Sequence, residues 1–173
     1  MYYEIIDNFL TIEEHSYIKE IMMGANFPWF FSFDKSSDGI EMKDSDIYCF
    51  QFTHSFYNYY NVRSMYFEDL INPFIYRLEP FAFIRIKANL TPPTHEIKKY
   101  GWHKDTGDNQ CITAVYYVNS NNGKTLFKNG LEVESVANRI VLFDSQLEHM
   151  GTSCTNEKFR CVINFNFIKD KHF

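Results

Sequence analysis

Arg160-Cys161-Val162-Ile163-Asn164-Phe165-Asn166-Phe167-Ile168 changes character with a period of two residues. Cys161, Ile163, Phe165 and Phe167 fall on one side and Arg160, Asn164 and Asn166 on the other, the mark of a β-strand with two unlike faces. The stretch 84–90 divides the same way, with Ile84, Ile86, Ala88 and Leu90 opposed to Arg85, Lys87 and Asn89. Two arrangements suit such polar faces. They meet water on an open sheet, or they line a pocket inside a two-layered β structure.

Outward from these two segments, residues 81–90, 112–119, 125–127, 131–135, 139–144 and 160–168 all read as strands rich in Ile, Val, Phe and Tyr. Asn122-Gly123 and Asn129-Gly130 are hairpin signals. The N-terminal part changes period. Thr11-Ile12-Glu13-Glu14 has the capping-box pattern, and Ile12, Ile18, Ile21 and Met22 keep helical spacing up to Gly24. Residues 32–46 read as a long loop of the kind that forms lids, and 55–78 as an aromatic-rich helical region reset at Pro73. Helices followed by short antiparallel strands predict an α+β, mainly β fold: a jelly roll backed by N-terminal helices. One domain is expected over 1–173, with a helical and loop part at 1–80 and the β core at 81–168.

At 173 residues, 45% hydrophobic, 18% aromatic and net charge −5, the chain has ample apolar surface for one core. Its longest apolar run, near Phe27–Phe33, is broken by Pro28 and Ser32, so no membrane span is expected. The acidic N-terminus is unlike a signal peptide, and the abundance of residues with AT-rich codons suits a bacterial or virus-infected cytoplasm. Cys49, Cys111, Cys154 and Cys161 lack metal-site spacing and read as reduced core residues. The acidic balance disfavours nucleic acid as a partner, with Arg85, Lys87, Lys98, Lys99 and Lys104 the one local basic cluster.

Chemistry concentrates around two histidines. In Tyr100-Gly-Trp-His-Lys-Asp105, His103 and Asp105 stand two apart and share a side of an extended segment. His149 follows the strand Arg139–Asp144 where the chain turns out of the core. A His-x-Asp pair with one distant His is the ligand set of the two-His-one-carboxylate triad, which leaves positions open on iron(II). Arg160, in a chain that prefers Lys, stands on the polar face of its strand and suits a bidentate grip on a carboxylate. His15, His54, His95 and His172 read as ordinary core or surface groups, and Trp102 and Tyr116 as packing residues.

Together these segments, with Thr113-Ala-Val-Tyr-Tyr-Val-Asn119, Gly123-Lys-Thr-Leu-Phe127 and Asn138-Arg-Ile-Val-Leu-Phe-Asp-Ser145, resemble the 2-oxoglutarate/Fe(II) dioxygenases, closest to the small prolyl-4-hydroxylase-like branch. The likeness covers about 81–168. It implies a hydroxylase in which His103, Asp105 and His149 bind Fe(II). Arg160 and Tyr117 would hold the distal carboxylate of 2-oxoglutarate, Tyr100 would line the pocket, and Asn89 would touch co-substrate or substrate. The resemblance also implies O2 as the oxidant, room for ascorbate as an accessory reductant, and a peptide, protein or small molecule as the substrate. The carboxylate ligand Asp105 separates the chain from related halogenases.

Two departures stand out. The family's Gly-Gly-x-Thr hairpin is Asn122-Gly123-Lys124-Thr125 here, and Asn89-Leu90-Thr91-Pro92-Pro93 replaces the Tyr-x-x-Gly stretch frequent in prolyl hydroxylases, which bears on the peptidyl-proline substrate. Two rival functions stay open: nucleic-acid base demethylation with the same cofactors, and a non-catalytic jelly-roll binding module.

Overall fold

The computed structural model describes residues 2–33, 49–108 and 110–169. In chain order the elements are β1 (Tyr3–Ile6), α1 (Ile12–Met23), β2 (Phe30–Ser32), β3 (Gln51–Asn58), β4 (Asn61–Val62), α2 (Phe67–Leu78) and β5 (Ala82–Thr91). There follow β6 (Cys111–Tyr117), β7 (Lys124–Phe127), β8 (Glu132–Glu134), β9 (Arg139–Asp144), β10 (His149–Gly151) and β11 (Arg160–Ile168). The large antiparallel sheet runs β1-β9-β6-β11-β5-β3-β2, with β4 on β3, and the small one runs β10-β7-β8. The fold is the mainly β α+β class that the strand pattern predicts.

The large sheet is covered on both faces. On one, Ile18 and Met22 of α1 and Leu70, Ile71, Phe74 and Leu78 of α2 pack against Ile86, Ala88, Ala114, Tyr116, Cys161, Ile163, Phe165 and Phe167. Phe74 meets Phe165 at 4.8 Å between ring centroids. On the other, Val115, Tyr117, Val141, Phe143 and Val162 pack against Phe127 and Val133 of the small sheet. Double coverage explains why β6 and β9 read as near-continuous apolar runs.

The capping box at Thr11 forms: Glu14 N–H donates to Thr11 Oγ1 at 3.3 Å, and Thr11 N–H donates to Glu14 Oε2 at 2.9 Å. Ile12, read as part of the apolar stripe, is 68% exposed at the first position of α1. The helical reading of 55–78 is corrected. Residues 51–58 form β3, whose His54 pairs with Ala88 and Phe52 with Leu90 of β5; Phe52, Thr53, Phe56 and Tyr57 are of the types that favour a strand. Pro73 lies inside α2 and does not reset it. One lost backbone hydrogen bond is outweighed by the buried stripe on both sides of the proline.

Asn129-Gly130 closes the β7–β8 hairpin, with Gly130 at φ +93°. Asn122-Gly123 does not form the expected hairpin, since β6 and β7 belong to different sheets. Cys111, Cys154 and Cys161 are buried free thiols. Most of the 32–46 loop falls outside the described residues. No described helix is long and apolar enough to cross a membrane.

Candidate metal centre

His103 and His149 meet because the segment before residue 105 pairs with β10. His103 N–H donates to the His149 carbonyl at 2.9 Å and the reverse bond spans 3.0 Å. The pairing brings the two imidazole centroids to 4.4 Å. His149, expected just past the strand Arg139–Asp144, is the first residue of β10, a three-residue strand too short to show a period.

Each imidazole orients itself the same way. His103 Nδ1 lies 3.2 Å from Gly101 O and His149 Nδ1 lies 3.0 Å from Leu147 O. A carbonyl only accepts, so both Nδ1 atoms carry the proton and both Nε2 lone pairs face the site. Asp105 stands between them, with Oδ1 3.9 Å from His103 Nε2 and Oδ2 3.7 Å from His149 Nε2. All three donor atoms lie within 4.8 Å of one another. These gaps are too long for hydrogen bonds and suit three ligands around one ion.

The electrostatics agree with that use. Burial pushes the Asp105 carboxyl up, but His149, Arg85, His103 and the Asn166 amide together hold it below its ordinary value. Burial also pushes His149 down, which Asp105 opposes and His103 reinforces. An anionic carboxylate and a neutral imidazole are the forms that bind a metal. Arg85 Nη2 reaches Asp105 Oδ1 at 3.3 Å, and Asn166 Nδ2 donates to Asp105 Oδ2 at 3.2 Å. Arg85 and Asn166 stood on the polar strand faces without an assigned role; only the fold aims both at one carboxylate.

Triad and Arg160 share a cavity of about 450 Å³. The polar faces of β5 and β11 line it through Arg85, Lys87, Asn89, Arg160 and Asn164, so of the two arrangements open in the sequence the pocket is the one realised. Lys104 and Tyr100 are also on its wall. Arg160 is buried, donating from Nε to Ser135 Oγ at 2.9 Å and from Nη2 to Thr125 Oγ1 at 3.0 Å. No carboxylate of the described residues pairs with it. Burial lowers its affinity for the proton, yet a guanidinium stays charged, so this is a buried cation awaiting an anion. Asn89 Oδ1 and Asn164 Oδ1 are likewise buried with no hydrogen-bond partner. Donor set and uncompensated cation fit a metal and a carboxylate co-substrate, and the two orphaned amide oxygens, which only accept, fit a hydrogen-bond donor in the same cavity.

Tyr117 lies behind this wall. It is fully buried, its hydroxyl donates to Thr125 Oγ1 at 2.8 Å, and the guanidinium carbon of Arg160 lies 5.7 Å from its ring centroid. Thr125 thus joins Tyr117 to Arg160. It was not singled out from the sequence, where only its place in Asn122-Gly123-Lys124-Thr125 could have marked it. Gly123 has its explanation here: a Cβ would stand 2.7 Å from Arg160 Cδ and 2.8 Å from Ser153 O, so only glycine lets the arginine pass. His15 and His54 stay outside the site, hydrogen-bonded to Tyr116 and to Pro28 O and Ser64.

Residues 93–168 match the family model of the 2OG-Fe(II) oxygenase superfamily. No curated protein matches the sequence. Among solved structures, a Trichoplax adhaerens prolyl hydroxylase in complex with a hypoxia inducible factor peptide fragment superposes with TM-score 0.67 at 13% identity, over 96% of this chain and 83% of that one. A Pseudomonas putida prolyl-4-hydroxylase gives 0.61 at 16%, over 97% and 92%. The α-ketoglutarate dependent epimerase SnoN from nogalamycin biosynthesis gives 0.64 at 9%, over 96% and 76%. At such identities the likeness concerns the fold.

Proposed function

We propose that this chain, a 2OG-Fe(II) oxygenase through residues 93–168, hydroxylates its substrate with iron held by His103, Asp105 and His149 and 2-oxoglutarate anchored on Arg160. The observation that carries the reading is the acid-free, buried Arg160 in one cavity with the triad. When bound, the iron and 2-oxoglutarate would activate O2, the oxidant, so that one oxygen atom converts a C–H bond to C–OH and the other leaves in the succinate formed, with CO2, from 2-oxoglutarate.

The chain's own part is binding, orientation and exclusion of water. Arg160 takes the distal carboxylate, with Ser135 and Thr125 fixing the plane of the guanidinium. Tyr117 acts on that carboxylate through Thr125 and the cation, and becomes a direct donor if its hydroxyl turns from Thr125. Arg85 and Asn166 keep Asp105 anionic and aimed between the imidazoles. Asn89 and Asn164 offer their amide oxygens as acceptors to a donor on the substrate, while their amide N–H groups are the atoms suited to a co-substrate carboxylate, and Tyr100 closes the wall.

The finer reading of the substrate is a prolyl residue in a peptide or protein. It is supported by the resemblance of the β core to the prolyl-hydroxylase branch and by the fold shared with two prolyl hydroxylases. The test is succinate release with iron(II), ascorbate, 2-oxoglutarate and a panel of proline-containing peptides. Mass gain of one oxygen on a prolyl residue supports the reading, and hydroxylation confined to non-prolyl compounds overturns it.

A further inference from the structure

β3 and β4 are joined by only two residues, Tyr59 and Tyr60, between the paired Asn58 and Asn61. Their φ angles are 40° and 64°, the sign pattern of a type I′ turn. Asn and Gly fill such a turn with little strain, whereas two bulky side chains there are held at a cost. Burial does not offset that cost, because the rings are 66% and 84% exposed. A turn that keeps two strained, exposed aromatics has a use for the rings themselves.

Their position shows the use. The pair lines a second cavity of about 770 Å³ whose wall also carries Arg85, Asp105 and Asn166. Along β11, Arg160 stands at one end, Asn166 at the level of Asp105, and Ile168, which lines the second cavity, at the other. An anion anchored on Arg160 occupies the first cavity, and the second offers an approach to the metal from the opposite end of the strand. Charge there is nearly balanced: Arg85 is paired with Asp105, and Asp108 is the other acid among the described lining residues. Recognition in such a place falls to ring faces more than to charge.

We propose that the Tyr59–Tyr60 turn is a substrate-recognition element whose phenol rings receive a ring carried by the substrate and direct it toward Asp105. This rests on the oxygenase reading above. The ring belongs either to a prolyl residue of a peptide or to a free cyclic molecule, and both present the same apolar face.

The test compares the wild-type chain with the double variant Tyr59→Asn/Tyr60→Gly, loaded with iron(II) and 2-oxoglutarate without oxygen. Saturation-transfer NMR uses two probes, a Pro-Pro-Gly repeat peptide and 2-naphthol. Expected are transfer to at least one probe in the wild type, at least a tenfold weaker affinity in the variant, unchanged 2-oxoglutarate affinity, and a melting temperature raised by about 2–4 °C as turn strain is relieved. Transfer to the peptide alone assigns a prolyl substrate, and transfer to naphthol alone a small cyclic one. Equal affinity in both proteins, no transfer to either probe in the wild type, or a lowered melting temperature overturns the proposal. Failure of the wild type to bind 2-oxoglutarate overturns the oxygenase reading instead, whatever the turn does.

Discussion

The two faces of β5 and β11 are unlike in what they bury. Toward the helices, Ile86, Ala88, Ile163, Phe165 and Phe167 are buried in a continuous apolar layer. Toward the small sheet, the same strands carry Arg85, Asn89, Arg160 and Asn164, with a buried charge and amide oxygens left uncompensated. The first face holds the fold, and the second is a poor use of burial unless something binds there. Stability and binding should therefore respond oppositely to substitution on the two sides.

The largest expected effect lies on the apolar side. Phe165→Ala empties space beside Phe74 and should cost about 3–5 kcal/mol of unfolding free energy, measured by urea denaturation, while the folded fraction keeps its affinity for 2-oxoglutarate. Loss of co-substrate binding at temperatures where the variant is folded would break the division between the faces. Across the sheet, Arg160→Met should weaken 2-oxoglutarate binding by about 100-fold or more, the worth of a hydrogen-bonded charge contact, with stability little changed. Calorimetric titration reads this directly, and a change within threefold counts against the anchor.

A smaller effect is expected at Asn166. Removing its amide with Asn166→Ala should lower iron affinity by roughly 10–100-fold, as loss of an outer hydrogen-bond partner does, and metal competition reports it. Asn164→Leu sharpens the comparison further. Replacing a buried, unsatisfied amide oxygen by an apolar side chain should leave the melting temperature unchanged or raise it; a marked fall would show that Asn164 is structural.

The smallest expected effect concerns pH. Burial, with Lys19 adding, pushes His15 below its ordinary value, and burial does the same to His54 against the pull of Pro28 O. Between those lowered values and about 6.5 the unfolded chain binds more protons than the folded one, so stability falls as pH drops below about 6.5. His15→Gln should make the slope of melting temperature against pH shallower in that window. An unchanged slope would exclude His15 as a contributor.

Legibility in the sequence follows the same division. A period of two over 84–90 and 160–168 showed both faces, and the spacing of His103 and Asp105 survives because an extended segment keeps them on one side. β3 was hidden because the helical reading of 55–78 carried the pattern of α2 back over Phe56 and Tyr57, aromatic residues that favour strands, and Tyr57 pairs with Ile86 of β5. Pro73 misled because its cost is local while the packing of α2 spans both sides of it. Thr125, Ser135 and Asn166 were hidden for another reason. Small polar residues acquire a role when a partner far along the chain arrives, and for Thr125 and Ser135 that partner is Arg160.

The claim that one cavity joins a metal triad to a carboxylate anchor is met most directly by anaerobic calorimetry of 2-oxoglutarate against the iron(II)-loaded chain and its Asp105→Ala variant. Expected is one iron and one 2-oxoglutarate per wild-type chain. In the variant iron binding should be weakened beyond the roughly 100-fold that losing an outer partner costs, and metal-dependent 2-oxoglutarate binding lost with it. Wild-type protein that binds neither, or a variant that binds both as tightly, would contradict it.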